Sequence, residues 1–144
     1  MDAKLIAKYI LSLSDPDIGD VITNLKLQKL LYYAQGYFLA IHDKPLFEDE
    51  IYAWEYGPVV ENVYHEYKRC GSGAIEYPEN LDYSKIPQIV VDHLEEINTV
   101  FGQYSAWRLM QMTHSEKPWI EARKKSNCLI TQKELKDYFK SRLS

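Results

Sequence analysis

The sequence predicts a mostly α, compact single-domain helical fold spanning residues 1–144, with at most a small two-stranded β-ribbon. Three observations carry this. Apolar residues recur at helical spacing through most of the chain. Period-two alternation is confined to one short stretch around EIYAWEY. The length of 144 residues suits one domain, which buries about 70% of its unfolded surface without needing a metal or a disulfide.

The first helix is expected over residues 2–13, where Leu5, Ile6, Tyr9, Ile10 and Leu13 share a stripe. Its lysine and apolar run resemble a signal peptide, but Asp2 and Lys8 interrupt the run and no small-residue cleavage site follows. The loop SDPDIGD breaks this helix with Asp, Pro and Gly. Thr23 or Asn24 then caps a second helix running to about Asp43. Its apolar residues, Leu27, Leu30, Leu31, Ala34, Tyr37, Phe38 and Ile41, cover more than half the circumference, so it is expected at the centre. Gly36 inside it costs about 1 kcal/mol relative to Ala, and either admits a neighbour closely or is merely tolerated.

In EIYAWEY, Tyr52, Trp54 and Tyr56 alternate with Ile51, Ala53 and Glu55, as in a strand, and GAIEY at 73–77 is the expected antiparallel partner. Gly57-Pro58 is expected to open a helix lined by Val59, Val60, Val63, Tyr64 and Tyr67 and ended by Cys70-Gly71-Ser72-Gly73. Ser84 is expected to begin the next helix, with Ile86, Ile89, Val90, Leu94, Ile97 and Phe101 inward and Gly102 as its stop. Ser105 caps AWRLMQM, whose Leu109, Met110 and Met112 are core candidates. The clearest local signal is the capping box Thr131-x-x-Glu134, flanked by Ile130 and Leu135 as a hydrophobic staple. Tyr138, Phe139 and Leu143 continue that last helix.

Composition excludes several classes. The chain is 46% hydrophobic and 26% charged, too apolar for a disordered segment, and no apolar run nears the roughly 20 residues of a membrane span. Cys70 and Cys128 show no CxxC spacing and point to free thiols in a reducing cytoplasm, with a bridge between them as the alternative. The net charge of −4 disfavours binding to phosphate backbones. Residues 117–144 nevertheless hold eight Lys or Arg against three acids. Either a basic tail helix lies against an acidic body, or an acidic surface is offered to a basic partner.

The stretch THSEKPW at 113–119 looks at first like a small catalytic or metal site. Structure accounts for it more simply: Thr113 or Ser115 caps a helix, Glu116 favours its positive end, Pro118 fits the first turn and Trp119 packs inward. His114 would then bond a nearby carbonyl or carboxylate. His42, His65 and His93 are scattered, and His65-Glu66 lacks the second histidine of HExxH because position 69 is Arg69, so no metal or other cofactor is expected. There is no G-x-S-x-G elbow and no phosphate-binding glycine loop. The twelve tyrosines are more informative, since Tyr gives large contact area with a hydroxyl that tolerates water. Neighbours such as Tyr32 and Tyr33 cannot face the same way from one helix, and Tyr64 and Tyr67 cannot both be fully buried without hydroxyl partners. Some aromatic surface is therefore expected.

Read together, LQKLLYYAQGYFLA (27–40), PLF (45–47), AWEYGPVVENVYHEYK (53–68) and SAWRLMQMTHSEKPWIEAR (105–123) resemble the Panacea, or SocA-like, antitoxin domain family of bacteria and phages. The resemblance implies a non-enzymatic helical domain, often carried by prophages, that binds a cognate toxin encoded by an adjacent gene. It also implies a second mode, in which the domain delivers the toxin to a protease or its unfoldase. Carried onto this chain, the family motif falls on Leu27, Gln28, Lys29, Tyr32, Trp54, Gly57, Pro58, Val59, Tyr64, Thr113, His114, Pro118 and Trp119, as scaffold or interface. Tyr56, Glu61, Tyr64, Glu66 and Tyr67 are the candidate contacts to the partner. Two readings compete: a phage-encoded nucleic-acid-binding regulator using Arg123, Lys124, Lys125, Lys133, Lys136 and Lys140, and a small hydrolase or transferase using His114 and Glu116.

Overall fold

The computed structural model describes residues 1–15, 17, 21–79 and 81–143. Pro16 and Gly19, expected as loop breakers, lie outside them. Helix α1 (Ala3–Ser12) starts on Asp2, whose side chain accepts from the Lys4 amide. Helix α2 (Asn24–His42) starts on Thr23, which accepts from the Lys26 amide, and ends at Asp43 in a left-handed conformation. Strands β1 (Ile51–Trp54) and β2 (Gly57–Val59) form a hairpin, and α3 (Glu61–Tyr67) follows. Then come α4 (Gln88–Phe101), α5 (Ala106–His114), α6 (Lys117–Arg123), β3 (Leu129–Ile130) and α7 (Gln132–Arg142). The fold is mostly α, as the helical periodicity predicts.

Helix α2 is the axis. It touches α1, α3, α4, α5, α7 and β2, which explains why apolar residues surround it rather than forming one stripe. Fourteen of its nineteen residues are buried; most are apolar and meet the neighbouring helices, while Asn24, Gln28, Lys29 and Gln35 bring buried polar groups to the other segments packed on it. Gly36 is the place where α7 comes closest: a Cβ there would collide with the Phe139 ring. Phe139 in turn packs against Tyr32, with ring centroids 5.5 Å apart. On another side Tyr33 stacks on Phe101 of α4 at 4.1 Å and 5°.

The small sheet departs from expectation. It has three antiparallel strands in the order β2-β1-β3. The partner of β1 is the Gly-Pro-Val stretch itself, with Tyr52 opposite Val59 and Trp54 opposite Gly57. Gly57-Pro58 therefore does not open a helix; Gly57 adopts φ 110°, open to glycine but rarely to other residues, and the tight hairpin follows from it. The expected partner at 73–77 contributes only a single bridge, Ala74 to Thr23. The third strand comes from the far end of the chain, Ile51 pairing with Ile130.

Two further boundaries move. Tyr83–Lys85 form one 3₁₀ turn, and α4 begins only at Gln88, after Pro87, which turns Ile89 outward. Leu143 is likewise exposed rather than buried. The capping box is present as expected: Thr131 accepts from the Glu134 amide, and Glu134 accepts from the Thr131 amide. Ile130 and Leu135 are both buried beside it. Both cysteines are free thiols.

Candidate binding face

The motif residues assemble where α2, the β1–β2 hairpin and α5–α6 meet, and the side chains of Gln28, Lys29, Thr113 and Trp119 close backbone groups there. A short hairpin leaves two rows of unpaired backbone groups, which need partners where they are buried. Along β2 those partners are side chains of α2. The Lys29 ammonium donates to the Pro58 carbonyl (3.2 Å), and the Val60 amide donates to Gln28 Oε1 (2.9 Å). Gln28 Nε2 donates to Asn24 Oδ1 (2.9 Å), and Asn24 Nδ2 to the Tyr64 carbonyl (3.1 Å), extending the clamp to α3. Farther along α2, Gln35 grips the Pro45-Leu46-Phe47 segment by donating to the Phe47 carbonyl and accepting from the Leu46 amide.

The other edge of β1 pairs with β3, and α6 adds donors to two carbonyls at the end of β1. Trp119 Nε1 donates to the Trp54 carbonyl (2.8 Å), and Arg123, four residues on and so on the same helical face, donates to the Ala53 carbonyl (3.1 Å). The Arg123 guanidinium also lies over the Trp119 ring at 5.8 Å. Gly57 is needed at this junction for space as well as for φ, because a Cβ would run into Lys29 and the Thr113 hydroxyl.

Lys29 is wholly buried, and among the described residues no ion pair reaches it. Burial brings its ammonium pKa down to about 7. Tyr32 and Tyr33, expected to diverge, are both buried and converge on one carboxylate. Their hydroxyls donate to Glu116 Oε1 and Oε2 respectively, each at 2.9 Å. Adjacent helical residues point about 100° apart, but both rings are long enough to reach an acceptor set between their directions. Burial raises the Glu116 pKa while the two phenolic donors oppose the rise, and burial with the adjacent Glu116 raises both phenols.

The 113–119 corner is built differently from expectation. The Thr113 hydroxyl donates back to the Met110 carbonyl and the Ser115 hydroxyl to the Met112 carbonyl, so neither caps α6. Glu116 is the residue before α6, with its side chain turned to the tyrosines instead. Trp119 packs against the core as expected while staying partly exposed, and His114 stacks on it at 4.1 Å and 25°. The expected partner of His114 is missing: Nε2 is buried without a hydrogen bond among the described residues. His114 and Glu116 thus answer to different neighbours, and no described cluster of His, Cys, Asp and Glu could hold a metal ion.

Leu27, Gln28, Lys29, Tyr32, Gly57, Pro58, Val59, Thr113 and Pro118 are buried, whereas Trp54, Tyr64, His114 and Trp119 reach the surface in part. The Trp54 and Tyr64 rings meet edge to face at 4.9 Å. Tyr56 at the hairpin tip is 59% exposed, and Glu61 stands beside it half-exposed. Two candidate contacts fall elsewhere: Tyr67 is buried, and Glu66 pairs with Lys4 across α1 and α3. Sequence reasoning missed Asn24, Gln35 and Arg123, because a buried side-chain-to-backbone bond has no period and shows no local signature.

The basic stretch is largely engaged internally. Lys136 and Lys140 both bridge to Asp43, Lys124 pairs with Glu121, Lys125 with Glu134 and Lys133 with Asp137. No helix among the described residues is long and apolar enough to cross a membrane.

No solved structure matches the chain significantly. A curated relative, Antitoxin SocA of Caulobacter vibrioides (strain NA1000 / CB15N), is 31% identical over 130 residues, covering 83% of this chain and 69% of that protein. The family model described as antitoxin SocA-like, Panacea domain, matches residues 27–120, which run from the α2 clamp to the Trp119 corner. The chain therefore belongs to the SocA-like Panacea-domain antitoxin family.

Proposed function

We propose that this chain, acting as one domain over residues 1–144, is a cytoplasmic antitoxin that neutralises a cognate toxin by direct protein–protein contact and catalyses no reaction itself. Membership of the antitoxin family is the observation that carries the reading. The site geometry supports it. Gln28 and Lys29 from one side and Trp119 and Arg123 from the other bond the backbone of the hairpin and lock it to α2 and α6, which holds the hairpin's aromatic outer face in place before any partner arrives. Such preorganisation lowers the ordering cost of binding. His114 and Glu116, the pair an enzyme would use, are engaged in packing and in holding two phenols.

Co-expression with the protein encoded by the adjacent gene tests the proposal. The neighbour alone is expected to arrest growth, the pair to grow, and the two proteins to co-purify at unchanged toxin level. Toxicity unaffected by this chain would overturn the reading. Rescue with a falling toxin level, lost when host proteases are deleted, would assign the adaptor mode instead of simple neutralisation.

A further inference from the structure

An open groove of about 550 Å³ runs along the outer side of the β1–β2 hairpin, lined by Tyr52, Trp54, Glu55, Tyr56, Glu61 and Arg123 among others. Its occupant cannot dock by adding a strand at β1 or β2. The Ala53 and Trp54 carbonyls already accept from Arg123 and Trp119, and the far edge of β2 is held by Gln28 and Lys29. Recognition there falls to side chains, chiefly the rings of Tyr52, Trp54 and Tyr56 and the carboxylates of Glu55 and Glu61, with Arg123, Asn127 and Cys128 on the other wall.

The charge around the groove is one-sided. From Pro45 to Tyr67 the chain has six Asp or Glu and no Lys or Arg. Only one of those six acids, Glu66, makes an ion pair among the described residues, and it points to a different groove. The single cation on the wall, Arg123, is committed to the Ala53 carbonyl and the Trp119 ring. Five of the eight cations in 117–144 are, by contrast, paired with four carboxylates of the same molecule. The groove's two carboxylates outnumber its one cation, so net negative charge is left beside aromatic rings. Indole and phenol faces attract cations, and a guanidinium can stack on a ring while donating to a carboxylate.

We infer that this groove receives an arginine- or lysine-bearing segment of the protein partner, its cations held by Glu55 and Glu61 against the rings of Trp54 and Tyr56. The identity of the partner as a toxin rests on the preceding reading; the chemistry of the groove does not.

A labelled hexa-arginine peptide is the probe, titrated into the full-length protein at low salt, with hydrogen exchange as a second readout. The peptide is expected to protect amides of residues 52–56. Glu55→Lys with Glu61→Lys should weaken binding about tenfold or more, whereas Glu76→Lys with Glu79→Lys, two acids on a different groove, leaves it within about twofold. Tyr56→Ala should weaken binding and Tyr56→Phe retain it. Equal losses for both charge-reversed pairs, or protection elsewhere, would overturn the inference by showing a diffuse acidic surface. Concentration-dependent dimerisation in sedimentation, abolished by Tyr56→Ala, would overturn it in favour of a second copy as occupant. In co-expression, wild-type rescue that survives the Glu55→Lys/Glu61→Lys change sinks the groove assignment and spares the antitoxin reading. Peptide binding without wild-type rescue does the reverse.

Discussion

The Lys29 ammonium reaches the Pro58 carbonyl at 3.2 Å from a wholly buried position, and among the described residues no carboxylate pairs with it. One helix thereby holds the edge of a hairpin through a group that water would stabilise better.

A pH dependence follows. The folded pKa lies near 7, below the ordinary lysine value, so between pH 7 and about 10 the unfolded chain binds the extra proton and stability rises with pH. The benefit is lost progressively as pH falls from about 10 to 7, and below 7 both states hold the proton and the slope vanishes. Urea unfolding at pH 9.5 is expected to show roughly 2–3 kcal/mol more stability than at pH 7 from this group, a slope that Lys29→Met removes. An unchanged slope in the variant would place the cause elsewhere.

Glu116 holds two buried phenols, so its loss leaves two donors without an acceptor. Glu116→Ala is expected to destabilise by about 2–4 kcal/mol, and a double-mutant cycle of Glu116→Gln with Tyr33→Phe to show coupling of about 1 kcal/mol. Thermal melts of the four proteins measure this. Additive effects would mean that the hydrogen bond contributes nothing net.

Gly36→Ala should raise helix propensity by about 1 kcal/mol yet destabilise the protein by about 1–3 kcal/mol, because the new methyl meets the Phe139 ring. Phe139→Leu opens a gap on its own. Combined with Gly36→Ala it should cost less than the sum of the two, a sign of coupling that denaturant midpoints reveal.

Trp119→Phe keeps most of the ring but removes the donor to the Trp54 carbonyl. A cost of about 1–2 kcal/mol is expected. Amides of β1 and β2 should exchange faster while those of α2 do not, as hydrogen exchange by mass spectrometry can resolve.

Much of the fold was legible because helices announce themselves locally. Thr23, Ser105 and the Thr131–Glu134 box cap where their side chains are read to cap, each satisfying an amide within three residues. The central place of α2 was legible too, since apolar residues on every side can only be buried by neighbours on every side. The candidate face was legible in part. Tyr56 and Glu61 lie at the hairpin, but Tyr67, four residues from Val63 on the same helical stripe, turned to the core as that spacing permits.

By itself, then, the sequence determined the helices, their caps and the apolar faces, because these depend on contacts within a few residues. Tertiary structure decided that Gly57-Pro58 is a strand, that Tyr32 and Tyr33 share Glu116, and that Lys29 is buried. Each of those outcomes depends on a partner tens of residues away, a carbonyl, a carboxylate or a ring, whose position only the packed chain defines.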